Sequence, residues 1–462
     1  MAILGLLGTE QFADERFKSV RRSVFYQYPN GAAPLLGLLS MLDGEVLNDP
    51  EFSWYEKRLQ EKVHATSVNG TTSGFWYADS TGALGAALAT TAASKVAGTV
   101  YWIKVNSFEH VRINDILKIK GLTITGGTAD IQLRVVAHTD GVYSSTSGGN
   151  FLRVTPLNTV TIVTNDDPGN DGLEVQVLGN AAQQGQTGAA EGSYTLPSTV
   201  GSQAQIFRTP YSFTGTALKT SAKFDESGPY KDKAKEHSMS HMIQMELQFL
   251  FGEPSKSVGA NGLPTYTTGG VLFFMRLWEV GDGNVLAGQT NGYHNTAATL
   301  NADDNKRIIN INGNISESSL DDYYERLFRY TNNVANEKIA FVGSGFLNVM
   351  NKLYKGKVEL TSDLPLGDTY GMNVVKHVCP FGTVFYKTHP LFSRNASMRY
   401  NALFMDVQNL KYRYMQDRDT EILKNRQPNN ADYREDEWLT EAGLEMQYPE
   451  SFMYMVGVTG TA

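Results

Sequence analysis

The stretch Leu178 to Pro197, LGNAAQQGQTGAAEGSYTLP, has no helical stripe, no strict alternation and almost nothing to bury. A chain that contains it cannot close one continuous core, so the segments on either side must each find apolar partners of their own. The segment before it is β-rich. From about Val96 to Val177, the runs TVYWIKV, ILKIKG, DIQLRVVAH, FLRVTPLN, VTIVTN and LEVQVLG are separated by Gly, Asn and Asp, which predicts a small sandwich or barrel. Alternating apolar residues such as Tyr101, Ile103, Ile116, Leu133, Val135, Ile162 and Val177 predict that this block folds around its own core.

The segment after it holds the best helix. YKDKAKEHSMSHMIQMELQFLFGEP begins near Tyr230 and is stopped by Gly252 and Pro254. Met239, Met242, Ile243, Leu247, Phe249 and Leu250 cover a wide arc, which predicts burial on two sides. About 22 residues at 1.5 Å each give a spine of roughly 33 Å. SSLDDYYERLFRY places Leu320, Tyr323, Tyr324, Leu327 and Phe328 on one stripe behind Ser caps, and KIAFVGSGFLNVMNKLY reads as strand, turn, helix. Strands follow in MNVVKHVCPFGTVFYKTHPLF, NALFMDVQNLKYRYM and WLTEAGLEMQYPESFMYMVGV, so this part is an α+β unit.

Residues 1 to 50 are weakly patterned and end in PLLGLLSMLDGEVLNDP, an apolar run cut off by turn signals. With no local helix or hairpin to bury it, the run reads as an arm that needs a partner surface. Removing Met1 to Leu42 is expected to leave a folded subunit. Deleting Gly179 to Gln205 is likewise expected to remove few intramolecular contacts.

Composition narrows the function. A net charge of −8 argues against a protein that coats nucleic acid, since phosphate neutralisation needs clustered Lys and Arg. The single cysteine, Cys379, excludes an internal disulfide and a Cys-based zinc site, which fits a reducing compartment. The first residues place their basic groups after the apolar run, unlike a secretory signal, and no run reaches the roughly 18 apolar residues of a membrane helix. A soluble protein made in a cytoplasm is expected.

Three motifs touch on chemistry. FVGSGFLN puts Gly343 and Gly345 between a strand and a helix, superficially a dinucleotide fingerprint, but the third glycine position is Asn348 and no repeated βαβ pattern surrounds it. A glycine-permitted turn is the better reading. HSMSH puts His237 and His241 one helical turn apart, with Glu236 and Glu246 as further conceivable metal ligands; Ser238 stands where a zincin needs Glu, and partly exposed helix histidines are preferred. DRDTEILKNRQPNNADYREDEWLTE is a dense run of both signs, read first as a solvated loop and second as ion pairs at a subunit boundary. Cys379 reads as structural. No catalytic, cofactor-binding or metal site is assigned, and no cofactor is expected.

The order of arm, extended excursion, long helix, α+β lobe and closing strand pair resembles the major capsid protein of tailed bacteriophages, the Hong Kong 97-type fold, in a family with a small β domain carried on the extended loop. FSWYEKRL, VLGNAAQQG, PTYTTGGVLFFM, KHVCPFGTVFYKTHPLF and DEWLTEAGLEMQYPESFMYMVGV carry the likeness over most of residues 35 to 460. The resemblance implies an N-terminal arm at 1–50, an extended loop at 51–221 with an inserted all-β domain at about 64–177, and a peripheral domain at 222–285 with the spine helix. An axial domain at 286–415 and the rest of the peripheral domain at 416–462 complete it. It implies a non-enzymatic shell protein that self-assembles into hexamers and pentamers of an icosahedral capsid around double-stranded DNA. Its partners would be itself, a separate scaffolding protein, a portal and a decoration protein, with weak non-specific DNA contact and no membrane. Assembly is expected in the bacterial host cytoplasm. An encapsulin-like nanocompartment is the nearest alternative, a tail or adhesion protein a more distant one, and an enzyme using the Gly343 turn or the histidine pair a rival of another class.

Overall fold

A computed structural model describes residues 33–40, 44–57, 63–66, 76–80, 83–87, 93–105, 110–124, 127–138, 150–162, 172–182, 184, 194, 197–219, 229–280, 306–330, 336–354 and 375–461. The chain divides into two compact units, one of Met1–Trp54, Thr199–Asn295 and Asp303–Ala462, the other of Tyr55–Ser198 and Thr296–Ala302. Both sheets and helices are present, the mixed α+β class the sequence implies.

The second unit is built on a ten-stranded sheet. Its main path runs Val63–Ala65, Glu174–Asn180, Asp115–Ile124, Gly127–His138, Asn150–Pro156, Tyr101–Val105, Trp76–Ser80 and Ala83–Ala87, every pairing antiparallel. Ile103, Leu133, Val135 and Val177 lie in its core as their alternation predicts, beside Trp76, Leu152 and Val154. Ile116 does not. Leu117 and Ile119 point inward instead, because Ile116 shares its pleat face with Lys118 and Lys120, and the two lysines keep that face toward water.

Among the described residues, the first unit has two larger sheets beside two-stranded ribbons. In one, Glu45–Leu47, Leu410–Met415, Tyr433–Met446 and Gln205–Thr214 lie in that order, with Glu421–Leu423 also on Tyr433–Met446. Its longest ladder runs antiparallel from Gln205↔Ala442 to Thr214↔Tyr433. The other sheet, Ile308–Ile315, Met453–Thr461, Ala402–Met405, Glu337–Val342, Gly382–Thr388 and Val375–Cys379, mixes parallel and antiparallel pairs. The helix Glu317–Phe328 starts on a Ser316–Ser319 capping box and buries Leu320, Tyr324, Leu327 and Phe328 of the predicted stripe, with Tyr323 half-buried beside them.

The spine helix is Pro229–Phe251. His241, Met245, Glu246, Phe249 and Leu250 are buried at helical spacing; His241 and Phe249 meet the first sheet, and Glu246 meets Pro34–Leu39. The helix is covered by the first sheet and also by Pro34–Leu39 and Val271–Val280, but not through all the residues that predict it. Met242 and Leu247 are 48% and 40% exposed.

The apolar run at Pro34 also departs from expectation. Pro34–Leu39 is a short helix whose Leu35, Leu38 and Leu39 join the same core as Phe249, Val271 and Phe274. The run finds its partner surface within its own unit. Residues 1–32, the remainder of the proposed arm, lie outside the described residues, as does most of the stretch from Gln183 to Leu196. Tyr194, within that stretch, is 85% exposed, and Leu178 before it is 50% exposed. From Ser198 the chain is core structure: Ser198–Gln203 pairs with Glu51–Glu56, and Ser198, Val200 and Ser202 are buried. The low-contact segment therefore ends before Ser198, not at Gln205.

Candidate functional site

The polar groups singled out in the sequence converge on the spine helix and the sheet beneath it. His241 is buried, not partly exposed. Its Nδ1 lies 2.9 Å from Thr209 Oγ1 and its Nε2 2.8 Å from Thr440 Oγ1, so both ring nitrogens are engaged by hydroxyls of two neighbouring strands. Burial pushes its pKa down, which keeps the ring neutral. His237 is half-buried and stacks on Tyr211 at 5.4 Å. With both His241 nitrogens occupied, the pair offers a metal no two-point grip. Among the described residues, no three His, Cys, Asp or Glu side chains gather at metal-binding distance.

Glu246, conceivable as a ligand from sequence, has another task. Its carboxylate is fully buried and accepts hydrogen bonds from Leu35 N at 2.8 Å and Leu36 N at 2.9 Å. These are orphan donors in the first turn of Pro34–Leu39, where the N-cap residue Ala33 has no side-chain oxygen to offer. A carboxylate from another element takes the cap's place, favoured by the positive end of the helix. The third donor is His389 Nε2, 2.9 Å from Glu246 Oε1. Leu391 N donates to His389 Nδ1 at 3.2 Å, which assigns the proton to Nε2 and aims it at the carboxylate. One side chain thus ties together the spine, the first helix and the short helix Pro390–Arg394.

The loop part of the dense charge run is solvated as expected, with Asp417, Asp419, Lys424, Arg426 and Asp432 exposed, but the run ends on a strand whose carboxylates are buried and partnered. Asp436, Glu437, Glu441 and Glu445 are all buried on Tyr433–Met446. Glu437, Glu441 and Glu445 share one pleat face, where Arg208 reaches Glu437 at 2.5 Å, Arg418 reaches Glu441 at 2.5 Å and Arg413 reaches Glu445 at 2.5 Å. Asp436 faces the helix and accepts from Tyr230 Oη, Asn425 N and Arg434. Burial raises its pKa, but those donors outweigh it and leave the carboxyl below the usual range. The ion pairs close within the chain.

The Gly343 turn is filled as well. A Cβ on Gly343 would stand 2.1 Å from Arg399 O, so only glycine fits this approach. Gly343 N donates to Asn401 O at 3.0 Å, and Gly345 N and Phe346 N donate to Arg399 O at 3.1 and 3.2 Å. The amides that would cradle a phosphate at this helix start are spent on backbone carbonyls. Cys379 is buried, its thiol pushed up by that burial and directed 3.1 Å from Gly382 O, the setting of an inert structural cysteine. Lys338, also buried, donates to Ser451 O at 2.9 Å and lies 3.5 Å from Asp406; desolvation lowers its pKa to about 8.

Sequence reading missed Glu246, His389 and Lys338 as anchors. A signal existed for the first: one carboxylate inside the apolar run MELQFLF. The four-residue spacing of Glu437, Glu441 and Glu445 on a strand was another. Taken together, these groups join one element to the next.

Comparison with known proteins assigns that scaffold. The family model described as SU10 major capsid protein matches residues 9–459. A search of curated proteins returned no match. Among solved structures, the chain is similar to one from Mycobacterium phage Patience at 8% identity, covering 60% of this chain and 77% of that one with a TM-score of 0.39. It is similar to the capsid asymmetric unit of cyanophage A-1(L) at 12% identity, 60% and 85% coverage and a TM-score of 0.37. The mature capsid of bacteriophage PhiM1 gives 9% identity, 61% and 79% coverage and a TM-score of 0.37.

Proposed function

This chain belongs to the SU10 major capsid protein family, and from that premise we propose how it builds its shell. Its role is structural and non-enzymatic: it is a component of the virion capsid. In our reading the subunits adopt the Hong Kong 97-type arrangement and assemble as hexamers and pentamers of an icosahedral shell enclosing double-stranded DNA. Residues 51–221 act as the extended loop, and about 64–177 as a β domain inserted in it. A separate scaffolding protein directs assembly in the bacterial host cytoplasm, a portal occupies one vertex and a decoration protein binds the exterior.

The family match across residues 9–459 carries this reading. Internal pairing of the Arg and Glu side chains supports it too, because a sheet braced by its own ion pairs keeps its shape while its outer edges meet neighbours. Electron microscopy of the expressed protein, with and without its scaffolding candidate, tests the proposal. Closed shells with five- and six-fold capsomers are expected. Tubes, fibres or persistent monomers under both conditions would reject it.

A further inference from the structure

Two apolar features of the first unit stay open to solvent, in different places. One is the end of a hairpin. Ser255–Val258 pairs antiparallel with Pro264–Thr267, in register from Ser255↔Thr267 to Val258↔Pro264. Alternation puts Ser255, Ser257, Thr265 and Thr267 on one face and Lys256, Val258, Pro264 and Tyr266 on the other. The base of the ribbon is satisfied locally: Ser255 Oγ meets Thr267 Oγ1 at 2.8 Å, and Lys256 pairs with Glu51 at 2.5 Å above the Tyr266 ring. The end is not. Val258 is 77% and Leu263 62% exposed.

Yet that end is firmly built. Gly259 N donates to Leu263 O at 2.8 Å, Gly262 N to Gly259 O at 2.9 Å and Leu263 N to Asn261 Oδ1 at 3.1 Å. Gly262 sits at a φ of +76°, which an L side chain would strain. A two-stranded ribbon is marginal by itself in water, so a constrained turn holding two aliphatic side chains outward has the form of a knob awaiting a socket.

The second feature has the form of that socket. An open groove of about 380 Å³ runs beside the spine helix, walled by Phe207, Leu247 and Phe251 and rimmed by Gln205, Gln244 and Gln248. Its apolar floor accepts aliphatic side chains, and the Gln244 amide on its rim can meet the backbone edge of a ribbon. The hairpin cannot fill the groove of its own chain. It is rooted at the groove's end, where Gln248 Nε2 donates to Thr268 O at 3.1 Å and Thr268 N donates to Gln205 Oε1 at 3.2 Å. From that root the strand carries Val258 roughly 10 Å onward at about 3.3 Å per residue, into solvent. A knob and a socket at separate places on one surface join copies head to tail, the heterologous contact that closes into rings.

The geometry points to the hairpin end of one copy, Val258 and Leu263, docking in the Phe207, Leu247 and Phe251 groove of a second copy. This rests on the shell reading, which supplies the second copy. Leu263→Lys and Leu247→Glu, each alone, should cut the yield of assembled particles in sedimentation at least tenfold. Both positions are exposed, so the circular dichroism and melting of isolated subunits should not change. Together in one chain the two substitutions should restore assembly, because ammonium then meets carboxylate across the contact. Either single variant assembling like the unaltered chain, or the pair faring no better than the singles, overturns the docking.

Mixing Leu263→Cys chains with Leu247→Cys chains under oxidation reads the contact whether or not shells close. A two-chain disulfide product formed mainly in the mixture supports it, and its absence overturns it. Unaltered chains that form no shell yet cross-link in this mixture would refute the shell reading and leave the docking standing.

Discussion

Replacing Glu246 with Ala separates two ways in which a buried anchor can fail. The substitution leaves three buried donors, Leu35 N, Leu36 N and His389 Nε2, without an acceptor. At about 1–3 kcal/mol each, keeping the helix docked would cost roughly 3–9 kcal/mol. The alternative is release of Pro34–Leu39. That exposes Leu35, Leu38 and Leu39, at about 1.5–3 kcal/mol per side chain, and frees six residues, each regaining about 1–2 kcal/mol of backbone entropy. The two sums are comparable, so release costs little once the anchor has gone. Local undocking therefore wins over global unfolding. Hydrogen exchange followed by mass spectrometry should show protection over Leu35–Ser40 falling by about a hundredfold, equivalent to about 2.7 kcal/mol, with Gln205–Thr214 and Tyr433–Met446 unaffected. Glu246→Gln, which keeps the shape but turns an amide donor toward a donor, should fall between the two. Unchanged protection over Leu35–Ser40, or an equal loss across the sheet strands, would refute the reasoning.

Other outcomes follow from the remaining anchors. His241→Leu strands the Thr209 hydroxyl, while Thr440 keeps its contact to Thr420 Oγ1, and should lower stability by about 1–3 kcal/mol in urea titrations, whereas zinc or chelator should not move the melting temperature of the unaltered protein. Asp436 has a folded pKa below its ordinary value, so its stabilising contribution is present above the unfolded value of about 3.9 and is lost as pH falls through the folded pKa. Asp436→Asn should be less stable at neutral pH by about 1.5–3 kcal/mol, with the gap narrowing in acid melts; a gap independent of pH would count against the assignment. Gly343→Ala drives a methyl against Arg399 O and should reduce soluble yield severely, while Gly37→Ala, with open space around its Cβ position and no left-handed φ, should cost far less in the same expression test.

How much the sequence disclosed depended on whether the partner was local. The Leu320 to Phe328 stripe, the spine helix and the alternation of Ile103, Leu133 and Val135 were legible because a helix or strand writes its own period. The fate of PLLGLL was not, because its acceptor is a carboxylate 210 residues away and nothing in a local window shows it. Removal of Met1 to Leu42, expected from sequence to spare the fold, would instead strip three leucines from a core. The loop part of the charged run was legible as solvated, whereas the burial of its strand end was not, because Arg208, which neutralises Glu437, comes from another strand. His241 looked partly exposed because His is usually so, and only the two threonines above and below it explain its burial.

The long ladder between Gln205–Thr214 and Tyr433–Met446 also sets an order in time. As the chain leaves the ribosome, the first of these strands emerges more than two hundred residues ahead of the second, and the sheet under the spine cannot close until the second has been made. A chain whose synthesis stops early lacks the strand that pairs with both Leu410–Met415 and Gln205–Thr214. Such a fragment cannot present a finished surface to its neighbours. The topology thereby acts as proofreading: a polypeptide that stops before Tyr433–Met446 lacks the finished sheet beneath the spine.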